Sequence, residues 1–98
     1  DEDLLNRFVD QVNDLDADLV VVTGDLLDRT RDIPWDFPIL GRLRARLGVF
    51  VILGNHDVAA GADEVEAGLR EHTPHTILRD QVATVRVGDA ALHVVGLN

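Results

Sequence analysis

The sequence predicts an α/β fold, a mixed sheet with flanking helices. Three observations predict it. Two short runs, 19–23 and 49–53, are continuously apolar and rich in β-branched residues, as in parallel strands buried on both faces. Segments with apolar residues at helical spacing precede, separate and follow those runs. The last third changes character and reads as strands joined by a tight turn at Gly88-Asp89.

The elements follow in order. Leu4, Leu5, Phe8, Val9 and Val12, with polar residues between them, predict an amphipathic helix from about Glu2 to Asn13. Asp1 to Asp3 complement its N-terminal dipole. A polar joint, 14–18, leads into the first buried strand, Leu19 to Thr23. Gly24 to Pro34 is a loop rich in Asp and Arg. Phe37, Leu40, Leu43 and Leu47 mark a second helical face, which ends at Gly48. Pro38 is tolerated only in the first turn, so that helix starts near Asp36 as its cap. Val49 to Leu53 is the second buried strand, and Gly54 to Gly61 a second loop. A short helix carries Ala62, Val65 and Leu69 on one side. Residues 76–78, 82–87 and 92–97 complete the strands, with one wetter face expected along 82–87. Strand–helix–strand order with apolar strands implies a right-handed parallel crossover.

Composition narrows the function classes. With 98 residues, one domain is the ceiling, and a chain of this size is marginal by itself. The hydrophobic fraction of 46% suits a packed core. A net charge of −9 argues against a nucleic-acid surface, which needs a basic stripe. It leaves room for a phosphate-containing substrate, because bound divalent cations invert the field of an acidic cleft. All nine basic residues are Arg. Cys is absent, so a metal would be held by oxygen and imidazole, which suits Mn, Fe, Zn or Mg. No apolar run is long enough to span a membrane. Oligomeric state is not legible.

Each buried strand runs into a Gly and then a polar cluster. Ligands of open α/β sheets sit outside the carboxyl ends of the strands. If the two strands are neighbours, the clusters face one cleft. The first cluster is Gly24-Asp25-Leu26-Leu27-Asp28-Arg29, and the second is Gly54-Asn55-His56-Asp57. Gly at a strand end permits a sharp turn that exposes the next side chain. The Asp25 carboxylate can bridge two cations, and the Asn55 oxygen completes a coordination shell without adding charge. Paired cations activate water and stabilise both the attacking and the leaving oxygens. His56 is a proton donor to the leaving group, or a hydrogen-bond donor to developing charge. Asp28 is a natural orienter for that imidazole, and Arg29 offers a planar fork for a phosphate oxygen.

Gly24-Asp25-x-x-Asp28-Arg29 and Gly54-Asn55-His56-Asp57 resemble the second and third signature blocks of the calcineurin-like metallophosphoesterases. The resemblance implies a partial calcineurin-like α/β-β-α sandwich and two divalent metal ions. It implies metal-dependent hydrolysis of a phosphoester or pyrophosphate bond. Asp25 would bridge both metals and Asn55 would ligate one. His56 would assist the phosphate and leaving group, with Asp28 paired to it as the second catalytic residue. Residues 18–98 are also similar to the bacterial branch that includes membrane-associated phosphohydrolases, down to Gly96-Leu97-Asn98. The family's first block, Asp-x-His, does not occur before Asp25, and nothing after Asp57 matches its last, Gly-His-x-His. Residues 1–98 are therefore expected to be a partial domain of a larger protein. The alternative is a non-catalytic metal-binding or scaffold module on the same fold.

Simpler readings compete at other positions. GNHD arises by chance in roughly one chain per thousand of this length. His72 and His75 flank Pro74 and are expected to be exposed loop histidines. His93 is expected on the solvent face of a strand. Trp35 and Phe37 are expected to pack at a helix start rather than form a lid. Arg42, Arg44 and Arg46 are expected to spread around a helix as a solvated face. Glu64, Glu66 and Glu71 read as helix surface.

Overall fold

In the computed structural model, which describes residues 2–23, 36–53 and 62–96, eight elements follow one another. They are α1 (Glu2–Asp14), β1 (Val20–Thr23), α2 (Phe37–Leu40) and β2 (Val49–Ile52), then α3 (Ala62–His72), β3 (Thr76–Leu78), β4 (Gln81–Val87) and β5 (Ala90–Gly96). β1, β2 and β3 form a parallel sheet in that order, and β4 and β5 form an antiparallel hairpin.

Strand alternation sorts the core into two layers. Val22, Val49, Val51, Leu53 and Ile77 face the helices, where they pack with Val9, Leu40, Leu43 and Leu69. Phe50 and Leu78 point to the other side and meet Val94 of the hairpin, with Ala83 and Val85 beside them. The architecture is thus helices, parallel sheet, hairpin. It matches the expected class, with parallel and antiparallel strands in separate layers.

β2 is buried on both faces, as its unbroken apolar run predicts. β1 is not. Val22 is buried on the helix side, but Val21 on the hairpin side is 43% exposed. The hairpin core forms around Phe50, Leu78 and Val94, and Leu19, just before β1, packs there whereas no residue of β1 itself does.

The second helix is much shorter than its apolar spacing predicts. Asp36 caps it as expected, its side chain accepting from the Ile39 N–H at 3.2 Å, and Pro38 sits in the first turn. Helical structure stops at Leu40. Beyond it, the Asn13 side chain donates to the Arg42 carbonyl and accepts from the Arg44 N–H, both at 3.0 Å. Those long-range bonds replace the ones a continuing helix would make. Leu43 still reaches the core, from a turn rather than a helix.

In α1, Leu5, Val9 and Val12 pack inward, whereas Leu4 and Phe8 are 55% and 40% exposed. The chain leaves β3 through Asp80, at φ 52°, and enters the hairpin. The hairpin turn has its positive φ at Gly88 (61°), the first of two central positions, which is the type II′ pattern.

Candidate functional site

The three parallel strands share one carboxyl edge. Thr23 is the register partner of Ile52, and Ile52 of Leu78. Neighbouring strands lie about 4.8 Å apart, so the chain leaves β1 and β2 from adjacent points. The condition attached to the two Gly-led clusters is met: their strands are neighbours, parallel and in register.

Asp25, Asp28 and Arg29 follow β1, and Asn55, His56 and Asp57 follow β2. All six, with Trp35, lie outside the described residues. The donor chemistry of the expected ligands is legible nonetheless. Asp25 and Asn55 both offer oxygen, a donor type that Mn, Fe, Zn or Mg accepts. Among the described residues, no group of three His, Cys, Asp or Glu side chains could hold a metal.

The other histidines sit elsewhere. His75 lies just before β3, at the amino end of the sheet, where Nε2 donates to the Leu40 carbonyl at 2.7 Å. It is half-buried rather than an exposed loop histidine. A local bond to Thr73 Oγ1 from its backbone N–H fixes the turn. His72 is exposed, its ring stacked with Phe37 at 6.4 Å between centroids. His93 is on the exposed face of the hairpin as expected, with Nδ1 3.0 Å from Thr84 Oγ1. Phe37 packs against the core, in keeping with a structural role.

The arginine series is not helical. Arg42 pairs with Asp10 at 2.6 Å and also bonds Asn6, and Arg46 pairs with Asp18 at 3.3 Å. These pairs are exposed, and each contributes at most about 1 kcal/mol.

The sequence reading missed Arg79. It follows β3 as Asp25 and Asn55 follow β1 and β2, at the same edge of the sheet. Its side chain is only 16% exposed. One guanidinium nitrogen donates to Asp63 Oδ1 at 2.6 Å and to Glu66 Oε1 at 3.0 Å. Glu66 also accepts from Arg70 Nε at 3.1 Å, and Arg70 reaches the Ile77 carbonyl. The Arg79 hydrogen bond holds the Glu66 carboxyl below its ordinary pKa against the opposing effect of burial, with Arg70 assisting. Asp63, then Glu66, push the Arg79 pKa above its ordinary value. Glu66 is therefore not the solvated surface residue its helical position suggests, whereas Glu64 and Glu71 are exposed. The available signal was positional, since no motif marks Arg79: a charged residue directly after a third buried strand.

Comparison with known proteins finds the family that the two clusters resemble. The sequence profile of the calcineurin-like phosphoesterases matches residues 2–89. An uncharacterised metallophosphoesterase of Campylobacter jejuni is 36% identical over 81 residues, which is 82% of this chain and 22% of that protein. A transmembrane protein with a metallophosphoesterase domain from Bos taurus is 41% identical over 59 residues, 54% of this chain and 12% of its own. An uncharacterised metallophosphoesterase of Bacillus subtilis is 28% identical over 90 residues, 87% of this chain and 33% of its own. The chain spans about a third or less of the length of these relatives. No solved structure matches. Strand order, clusters and profile agree, and the chain belongs to the calcineurin-like phosphoesterase family.

Proposed function

We propose that the protein carrying these residues hydrolyses a phosphoester or pyrophosphate bond with a dinuclear divalent-metal centre. In this reading residues 1–98 are part of a larger metallophosphoesterase domain, and other segments supply the remaining ligands. The observation that carries it is the register of β1 and β2, from whose adjacent ends both clusters depart. The family match over residues 2–89 supports the chemistry.

Asp25 and Asn55 would hold the metals. When bound, the pair supplies water activation and charge neutralisation at the phosphoryl oxygens. His56 donates a proton, or a hydrogen bond, to the departing oxygen. Asp28 would accept from the His56 ring and fix its tautomer. Arg29 grips a phosphate oxygen with its planar fork.

The test is Mn-dependent hydrolysis of p-nitrophenyl phosphate and bis(p-nitrophenyl) phosphate by the purified protein. His56→Ala should lower kcat about 100- to 1,000-fold while metal content stays unchanged. Asn55→Ala should lower the bound metal stoichiometry. Unchanged turnover of an unactivated alkyl phosphate ester in His56→Ala would sink the role assignment. Stoichiometric metal binding without hydrolysis of any phosphate ester would favour the non-catalytic module.

A further inference from the structure

We infer that Arg79 is a positioning residue, which fixes the α3 end of the segment carrying Asn55 and His56 against the strand that holds its other end. Two bonds at consecutive residues define the device. The Leu78 carbonyl accepts from the Leu53 N–H at 2.9 Å, holding the point where the chain leaves β2. Arg79 grips Asp63 and Glu66, holding the first turns of α3, where the chain returns. Residues 54–61 run between those two fixed points. The span of a short closed segment limits its conformations, so loosening one end enlarges the set open to every residue within it.

The placement distinguishes Arg79 from an ordinary surface cation. Arg79 and Glu66 are only 16% and 24% exposed, whereas Asp63 is 77% exposed. Solvent screens the Asp63 contact despite its shorter distance, so Glu66 is the firmer anchor. Arg70 holds the other Glu66 oxygen and ties α3 to the Ile77 carbonyl. The network thus joins the first half of α3 to the end of β3, beside the carboxyl end of β2. Arg46 makes the matched comparison. It also pairs with an Asp between elements, but just before β2, at the opposite end of the sheet.

The catalytic part of this inference rests on the proposed hydrolase reading; the ordering part does not. The experiment therefore has two arms, both in the complete protein. Amide hydrogen exchange of peptides covering 53–62 is compared in the wild type, Arg79→Gln, Arg79→Lys and Arg46→Gln. Arg79→Gln should raise exchange of that segment about tenfold and leave 81–96 unchanged, with Arg79→Lys partly restoring protection and Arg46→Gln without effect. In the second arm, Mn titration and steady-state kinetics should show weaker Mn binding and a kcat lowered about tenfold in Arg79→Gln, with KM little changed. Unchanged exchange over 53–62 in a folded Arg79→Gln protein overturns the inference. So does an equal rise over 53–62 and 81–96, which marks a general loss of stability. A raised exchange in a protein that neither binds Mn nor cleaves esters sustains the ordering role and sinks the hydrolase reading instead. If Arg79→Gln does not fold, Glu66→Gln and Asp63→Asn probe the same contact, with the larger effect expected from Glu66→Gln.

Discussion

At the scale of single residues, polar side chains far apart in sequence set the geometry. Glu66 is held ionised mainly by Arg79, so its native pKa lies below the ordinary value of 4.5. Its stabilising contribution is present above the unfolded value and is lost as pH falls through the lowered native one. The stability difference between wild type and Glu66→Gln should therefore be full at neutral pH and shrink below about pH 4.5. Urea denaturation across that range checks it, and a constant difference would argue against the ion pair. Asn13 bridges two backbone groups of the segment after α2. Asn13→Ala should destabilise by about 1–2 kcal/mol, read as a lower urea midpoint at unchanged slope.

Elements owe their packing to a few contacts. α3 meets the sheet through Leu69, which is fully buried among Val9, Leu40 and Ile77. Leu69→Ala should cost about 2–5 kcal/mol, because the site loses both transfer energy and contacts. Its neighbour Gly68 is a mid-helix glycine with a reason: a Cβ there would run into the Phe37 ring. Gly68→Ala gains about 1 kcal/mol of helix propensity but meets an overpacking cost of about 1–3 kcal/mol, so it should not stabilise. A higher melting temperature in Gly68→Ala would show that Phe37 moves aside freely. α2 shows why periodicity misled. Phe37, Leu40 and Leu43 all point inward, but Leu43 does so from a turn that Asn13 holds. Apolar spacing reports which residues face the core, and the backbone route between them depends on distant partners.

For the whole molecule, the described core is assembled from apolar side chains on both faces of β2 and needs no metal ligand. Under the proposed hydrolase reading, metal removal should thus abolish hydrolysis while leaving the secondary structure in place. Saturating Mn, at about 100 times its Kd, should add about 2.7 kcal/mol to stability, seen as a higher melting temperature. Loss of far-ultraviolet ellipticity on chelation would contradict this division between core and site.

The sequence by itself determined the α/β class, the strand runs, the hairpin turn and the two clusters that identify the family. These are local patterns: β-branched runs, glycine at a strand end, short strings of ligating residues. Tertiary structure alone decided the rest. It made β1 and β2 register partners, left Val21 half open beyond the reach of the hairpin, and stopped α2 at Leu40. It also carried Arg79 onto Asp63 and Glu66, 16 and 13 residues away in sequence. Such contacts depend on which elements become neighbours, and a pattern of period 2 or 3.6 holds no information about that.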